Sequence, residues 1–512
     1  MRVSKWRIEK YNILNRYFVA LIFWLLFFSL SLQSYSFSSV SLNDDDISSE
    51  INQLIRKHDL EKAHLALKIV SLADNHTIYE KNADDLMITA SNVKLFTTAA
   101  ALCKLGPDFE FTTTLFYDGT LKDSILNGNL IIKSNGDPNI SGRFYNNCPT
   151  AIFEQWAKKL LEIGIKSING DIILDDSAFD RKYCLPSWPK DQLTYWYCAP
   201  ISAVSFNDNC VEITVFLNRK TNKIEYVVSP PTKYVKVSLD IALDKNISES
   251  RIEFYRVPNT NNITINGKMS FKDSIYKEFI TVNNPPLFFG TVLKEVLKQK
   301  GINVDGKISS ANHPYQPLNQ LVKTSETQTN LAQTVNVINK RSQNFYAEQV
   351  LKSMAYHYKG KGSFTGGLEI IRDFLADEVG ITPGAYFISD GSGLSRENCF
   401  STNQIIKLLG YLYRHKLFSV FRDSLDSDLR FSKKSKNHSE KEESIWVKTG
   451  YLKNALSLSG YALKTKNTAN KQTPPDYYAF SLIINDFEEL PSGLKNAEQF
   501  RDDFIVLLQK YQ

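Results

Sequence analysis

The sequence TASNVKLFTTAA, residues Thr89–Ala100, decides how the rest of the chain is interpreted. Its apolar, alanine-rich composition predicts the first turns of a buried helix. Ser91 and Lys94 stand three positions apart and share one face of that helix, with Cβ atoms about 5–6 Å apart. A hydroxyl becomes a nucleophile when a neighbouring base takes its proton, and a lysine kept neutral by burial is such a base. The pair therefore predicts a nucleophile, Ser91, with Lys94 as its general base.

The bulk composition is that of a globular protein with a sizeable core. Of 512 residues, 43% are hydrophobic and 23% are charged, and at about 150 residues per domain this length suggests about three domains or one large domain with insertions. The formal net charge is +6, of which residues 1–36 contribute +4. The rest of the chain is nearly neutral, which argues against nucleic acid as a partner because that binding depends on positive charge.

Residues 1–38 have the pattern of a targeting segment. Basic side chains precede an apolar run from Tyr17 to Leu32, and small serine residues follow it at the spacing of a cleavage site. The run is long for a signal peptide and short for the ~20 residues of a membrane-spanning helix. We favour a cleaved signal over an uncleaved anchor, and both predict that the body of the protein leaves the cytoplasm.

The cysteines and histidines predict no metal site. No Cys-x-x-Cys and no His-Glu-x-x-His spacing occurs among the six cysteines and seven histidines. In an exported chain an even number of cysteines permits disulfides. Four of them fall in one central region, which favours one or two bridges without fixing their pairing: Cys148, Cys184, Cys198 and Cys210.

The order of helical and extended patterns divides the chain into two flanking parts and an insert. A helix, a hairpin and the Ser91 helix make the first part; short strands and turns then dominate, interrupted by one helix; helices and strands follow to the end. The expected organisation is a signal peptide or anchor (1–38), a first domain part (39–108), a β-rich insert of two subdomains (109–283) and a second domain part (284–512).

Two further polar motifs follow Ser91 in the chain. Ser342-Gln343-Asn344 stands at a predicted helix start, where by itself it predicts only a helix cap. Lys448-Thr449-Gly450 lies in a predicted strand and is the only Lys-Thr-Gly in the chain. On an edge strand this lysine and threonine would receive a carboxylate, and the glycine would let a substrate backbone approach closely.

Together, in this order and on both sides of the insert, the three motifs resemble those of a known family. It comprises the class C low-molecular-mass penicillin-binding proteins, the D-alanyl-D-alanine carboxypeptidase/endopeptidases of the penicillin-binding protein 4 type, or peptidase family S13. The resemblance covers about residues 45–510. Four more stretches are similar to recurrent family segments: Asn135–Pro138, Gly170–Asp175, Asp390–Arg396 and Lys448–Tyr461.

The resemblance implies an α+β fold, namely a penicillin-binding/β-lactamase-like transpeptidase domain, an antiparallel sheet covered by helices, with a large β-rich insert. It implies a serine-type carboxypeptidase that works through an acyl-enzyme without a cofactor. Its partners would be peptidoglycan stem peptides and β-lactam antibiotics. It would work in the periplasm, with a peripheral contact to the inner membrane if the anchor stays.

The resemblance also implies a role for each motif residue. Ser91 would be acylated with Lys94 as its base, and Ser342 would pass a proton to the leaving amine. Asn344 would hold the substrate amide. Lys448 and Thr449 would bind the terminal carboxylate beside Gly450, and the N–H groups of Ser91 and Tyr451 would form the oxyanion hole. Repulsion between Lys94 and Lys448 is expected to lower one of their pKa values.

Two alternatives stay open. A β-lactamase shares the three motifs but lacks so long an insert, and a catalytically idle wall-binding or scaffold protein would share the fold. The sequence also departs from the family in two places. Residues 424–437 are charged and contain no glycine, which leaves the shape of one cleft rim open. Tyr451 stands where a small hydroxylated residue is common, so access to the site is expected to be narrower.

Overall fold

A five-stranded antiparallel sheet is built from strands at both ends of the chain. The computed structural model describes residues 44–511 except 274, 312, 318, 428–443 and 465–475. The predicted targeting segment and residues 428–437 of the charged stretch lie outside the described residues. From one edge to the other, the strands of this central sheet are Thr77–Lys81, His64–Ser71, Asp476–Asn485, Ala455–Lys464 and Ile445–Leu452.

The middle strands of the central sheet are covered on both faces. Residues 455–462 are all buried, as are residues 479–485, because helix Thr402–Tyr413 packs against one part of the sheet and helix Gly493–Lys510 against another. The apolar runs of these strands predict such two-sided burial. An antiparallel sheet covered by helices confirms the predicted α+β class.

The α-helices of the described residues follow the predicted pattern closely. Helix Phe364–Phe374 continues directly into a π-helical turn over Leu375–Val379. Helix Leu331–Arg341 begins directly after strand Val322–Asn330 and buries Leu331, Val335 and Ile338 on one face. The helices are Asp44–Lys57, Val93–Leu105, Ala151–Glu162, Pro285–Gln299, Leu331–Arg341, Asn344–Lys359, Phe364–Phe374, Thr402–Tyr413, Phe418–Asp423 and Gly493–Lys510.

The β-rich insert contains four small sheets around a separate hydrophobic core. A five-stranded sheet contains Ile308–Ala311, Ile172–Asp175, Leu130–Ser134, Glu110–Tyr117 and Val322–Asn330. A four-stranded sheet contains Asn303–Val304, Ser167–Ile168, Ile125–Asn127 and Thr120–Lys122. Two three-stranded sheets contain Lys223–Ser229, Cys210–Asn218 and Ile275–Thr281, and Lys236–Asp244, Asn262–Ser270 and Arg251–Arg256. A short pair, Cys399–Phe400 with Met87–Ile88, lies outside the insert.

The strand pairing bears on where the insert ends. Strand Val322–Asn330 pairs along its length with Glu110–Tyr117, and helix Pro285–Gln299 buries its apolar face in the core of the insert. We therefore propose that the insert extends to about Asn330 instead of ending at 283. An amphipathic helix read from sequence carries no information about which of two cores it covers.

All six cysteines are free thiols, so the expected bridges are not formed in this structure. Cys198 and Cys210 are buried and the other four are half-buried. Burial accordingly raises the pKa of the Cys184 thiol to about 11 and that of Cys198 to about 12. Among the helices of the described residues, none has the length and apolar character needed to cross a membrane.

Candidate active site

Ser91 lies in a short 3₁₀ turn, Ala90–Asn92, that leads directly into helix Val93–Leu105. Ala90 adopts a left-handed backbone conformation with φ 47°, which is unfavourable for a residue with a Cβ atom. Gly393 packs against the turn so closely that a Cβ atom at 393 would lie 1.9 Å from the Ala90 carbonyl oxygen. The loop that contains Gly393 therefore packs directly against the turn that carries Ser91, and only glycine fits at this contact.

Lys94 is fully buried, and its amine nitrogen lies within hydrogen-bond distance of three oxygen atoms. Its Nζ lies 3.0 Å from Ser91 Oγ, 2.6 Å from Asn344 Oδ1 and 2.5 Å from the Ser392 carbonyl oxygen. A neutral amine has two hydrogens and one lone pair. Donating the hydrogens to Asn344 and Ser392 leaves the lone pair for the Ser91 hydroxyl, which is the arrangement that a general base requires.

Burial favours this neutral form. Removal from water lowers the pKa of Lys94 to about 7, against the opposing charges of Asp390 and Glu348. The pKa of Lys448 is lowered well below its usual value, first by burial and then by the charge of Lys94. Burial is therefore the main cause at both lysines, and repulsion between them lowers the pKa of Lys448 further.

Ser342 and Asn344 lie at a tight junction between two helices. Ser342 has a left-handed backbone, φ 54°, at the end of helix Leu331–Arg341, and Asn344 begins the next helix. The amide of Asn344 is fixed on both sides, because its Oδ1 accepts from Lys94 and its Nδ2 donates to the Tyr197 carbonyl oxygen at 2.9 Å. One hydrogen of Nδ2 is left for a substrate carbonyl.

Lys448 approaches from the edge strand of the central sheet. Its Nζ donates to Ser342 Oγ at 2.9 Å and to the carbonyl oxygen of Thr449 at 2.7 Å. Lys448 is buried and Thr449 is half-buried beside it. The site thus contains two serine–lysine pairs, one on the helix and one between the strand and the helix junction.

Gly450 lies directly against the Ser91 turn. A Cβ atom at this position would come within 2.9 Å of the Ser91 backbone nitrogen and 3.0 Å of the Thr89 carbonyl oxygen. The peptide groups of Val447 face outward, where they pair with Asp426. Because peptide groups alternate along a strand, the N–H of Tyr451 also points away from the neighbouring strand. The Tyr451 side chain is 53% exposed.

Two buried carboxyl groups also belong to the site: Asp390 begins one of the stretches that resemble family segments, whereas Glu348 lies in none of the sequence motifs. Glu348 lies one helical turn after Asn344, and it accepts the N–H groups of Gly391 and Ser392 at 3.1 and 2.7 Å. Asp390 accepts four hydrogen bonds. For Glu348, the signal in the sequence was a charged residue within a helix that is buried on every side. The donors to Asp390 are the N–H groups of Gly393 and Ser395, the Trp188 indole and the Asn398 amide.

These contacts bring the motif residues together although they lie far apart in sequence. Ser91 touches Lys94 and Gly450, Lys94 touches Asn344, and Lys448 touches Ser342. Thr449 and Tyr451 lie near the same groups because they are on the strand that carries Lys448 and Gly450. The arrangement can take a proton from a serine hydroxyl, hold a negative group beside a lysine, and offer backbone N–H groups to a developing oxyanion.

The chain is similar to known proteins along most of its length. Residues 47–505 match the model of the D-Ala-D-Ala carboxypeptidase 3 (S13) family. A D-alanyl-D-alanine carboxypeptidase, DacB, of Haemophilus influenzae is 25% identical over 452 residues, which cover 86% of this chain and 90% of that protein. A D-alanyl-D-alanine carboxypeptidase of an Actinomadura species is 24% identical over 459 residues, covering 86% of this chain and 81% of that protein.

Solved structures support the fold. The crystal structure of penicillin-binding protein 4 from Haemophilus influenzae superposes with a TM-score of 0.74 at 22% identity, covering 90% of this chain and 99% of that one. The same protein in complex with a β-lactam superposes with a TM-score of 0.70 at 21% identity. Since the family model spans most of the chain, the protein belongs to the S13 family of D-Ala-D-Ala carboxypeptidases.

Proposed function

We propose that this protein is a serine-type D-alanyl-D-alanine carboxypeptidase/endopeptidase that acts on peptidoglycan stem peptides and cross-links. One observation carries the proposal: a fully buried lysine, Lys94, whose amine lies 3.0 Å from Ser91 Oγ while Asn344 and the Ser392 carbonyl accept its two hydrogens. In this arrangement the Lys94 amine can take the proton of the Ser91 hydroxyl. Membership of the S13 family supports the same chemistry.

In the proposed reaction, Ser91 Oγ attacks the carbonyl carbon of the D-alanyl-D-alanine peptide bond and its proton passes to Lys94. The C–N bond then breaks, and the leaving amine takes a proton through Ser342. Water hydrolyses the resulting ester and restores the serine. The N–H groups of Ser91 and Tyr451 would stabilise the oxyanion, at about 2.7–4 kcal/mol per donor.

Substrate binding is assigned to the strand and the helix junction. Lys448 and Thr449 would hold the terminal carboxylate, whose negative charge would in turn favour the protonated form of Lys448. The free hydrogen of Asn344 Nδ2 would bind the carbonyl of the substrate amide, and Gly450 leaves room for the substrate backbone. A β-lactam would enter by the same contacts and acylate Ser91.

The N-terminal 38 residues are proposed to direct the chain out of the cytoplasm, so that it reaches its substrate in the periplasm. The body of the chain would then be released by cleavage or held at the inner membrane. This proposal rests on the basic and apolar pattern of the segment alone.

Release of D-alanine tests the function directly. We expect the protein to release D-alanine from a peptide ending in D-alanyl-D-alanine and to be acylated by penicillin with slow recovery. The same peptide with a C-terminal amide should be cleaved about 10–100-fold more slowly, because the buried lysine loses its anionic partner. Acylation without D-alanine release would favour the idle scaffold, and rapid turnover of penicillin would favour the β-lactamase.

Substitution of Gly450 tests the place of the oxyanion. We expect Gly450→Ala to reduce the acylation rate about 10²–10³-fold, because the new methyl group would meet Ser457 Oγ and the Ser91 backbone nitrogen and so displace the Ser91 N–H. The measurement is the rate of labelling by fluorescent penicillin. Gly410→Ala is the matched control, since a Cβ atom there meets its nearest neighbour only at 3.7 Å. An unchanged rate in Gly450→Ala would contradict the assignment.

A further inference from the structure

Glu348 has no place in the proposed reaction, yet it is completely buried next to the reacting groups. It stands four residues after Asn344, so both side chains leave the same face of one helix. Its two carboxyl oxygens accept the backbone N–H groups of Gly391 and Ser392. The carbonyl group of this same Ser392 accepts a hydrogen from Lys94 at 2.5 Å.

A single peptide segment therefore connects Glu348 to the base. Its N–H groups face Glu348, and its carbonyl oxygen faces Lys94 Nζ. The segment is also held at its other end, because Asp390 accepts the N–H groups of Gly393 and Ser395 at 2.7 Å each. The two carboxyl groups thus bind opposite ends of the loop.

We propose that Glu348 is a positioning residue for the acylation step. By holding the Ser392 peptide, it keeps the carbonyl group on Lys94 and so directs the lone pair of the amine toward Ser91. This inference rests on the proposed function, since it concerns the orientation of the Lys94 amine toward the Ser91 hydroxyl. Glu348 touches no substrate and is not itself catalytic.

The charge of the carboxyl group adds a second effect. Burial and the neighbouring Asp390 raise the pKa of Glu348, while the two N–H donors and the charge of Lys94 oppose them by favouring the carboxylate, the form in which both oxygens accept. The ionisable groups that act on it come from three elements: Asp390 in the loop, Lys94 on the nucleophile helix, and Lys352 one turn further along the helix of Glu348. Because the charge of Glu348 raises the pKa of Lys94, its removal should make Lys94 easier to deprotonate.

The test is Glu348→Gln, measured as the acylation rate with saturating penicillin from pH 5 to 9. A glutamine keeps the size but places an NH₂ group against one of the two N–H donors, which displaces the loop. We expect the plateau rate to fall about 10²-fold, as for a base misplaced by about 1 Å. We also expect the acid limb of the profile to move to lower pH, with the penicillin affinity unchanged.

Glu397→Gln is the matched control, since Glu397 is an exposed glutamate in the neighbouring turn that binds Ser389 Oγ. It should keep the wild-type rate and profile. A lower rate with an unmoved acid limb, or an unchanged rate, would overturn the proposal for Glu348. Acylation of the wild-type protein, measured first, reports on the proposed function by itself.

Glu348→Asp provides a second variant should the glutamine variant not fold. It keeps the charge but is one methylene shorter, so it cannot reach both N–H groups. We expect a reduced plateau rate with the acid limb at the wild-type pH. A wild-type rate in this variant would overturn the positioning role, and thermal unfolding of each variant reports separately on the fold.

Discussion

Ser91→Ala is expected to abolish both acylation by penicillin and release of D-alanine. Ser91 carries the hydroxyl that faces the buried amine of Lys94, and its own N–H lies against Gly450, where the oxyanion is expected. Removal of a serine nucleophile typically costs about 10⁶-fold in rate. Intact-mass measurement after incubation with penicillin should show one added penicillin on the wild type and none on the variant.

The second serine–lysine pair provides the sharpest control for this result. Ser342 is 2.9 Å from Lys448 Nζ, so it too has a lysine beside its hydroxyl. Ser91 differs in that its own N–H group lies against Gly450, where the oxyanion is expected, whereas Ser342 is assigned the transfer of a proton to the leaving amine. Ser342→Ala should therefore be acylated slowly but completely. Loss of the adduct in Ser342→Ala and its retention in Ser91→Ala would reverse the two assignments.

Much of the fold could be predicted because the local patterns are strong. The alanine-rich helix after Ser91 and the apolar strands near residues 455–485 bury the faces that their periodicity indicates. The assignment of Pro285–Gln299 and Val322–Asn330 to the insert could not be read in this way. This proposed assignment depends on contacts with residues 110–175, more than 100 residues away, although the helix also packs against the nearby strands Asn303–Val304 and Ile308–Ala311. No local pattern carries the information on the distant contacts.

For the site, the sequence identified the functional side chains but not the backbone carbonyl groups that orient them. Ser91, Lys94 and Asn344 belong to short motifs, whereas the carbonyl groups of Tyr197 and Ser392 are backbone atoms, which no residue type reveals. Only the fold brings these carbonyl groups to the two sides of Asn344 and Lys94. The roles of the motif residues remain predictions that the variants described above test.

Lys94→Met is expected to lower the acylation rate and, separately, to change how the free energy of unfolding depends on pH. Methionine fills the same volume without an amine, so acylation should fall about 10²–10⁴-fold through loss of the general base. The wild-type acylation rate should rise about tenfold per pH unit up to about pH 7, the pKa of Lys94, and level off above it. The variant should lose this limb, and a wild type without a limb between about pH 5 and 9 would contradict a neutral Lys94.

The free energies of unfolding of the wild type and of Lys94→Met should differ by an amount that depends on pH. Folding lowers the pKa of Lys94 from 10.5 to about 7, so between these pH values the unfolded chain binds more protons than the folded one. The wild-type free energy of unfolding therefore gains about 1.4 kcal/mol per pH unit from this group as the pH rises through that window. Lys94→Met lacks that gain.

Chemical denaturation at pH 7, 8 and 9 measures this difference. We expect the stability of Lys94→Met relative to wild type to be greatest at pH 7 and to decline at each step, while its unpaired acceptors, Asn344 Oδ1 and the Ser392 carbonyl, add a constant cost. Leu95→Met, a buried neighbour on the same helix, controls for the change in packing and should show no pH-dependent difference. A constant offset in Lys94→Met would mean that the amine stays charged in the folded protein, and the base would have to be sought elsewhere.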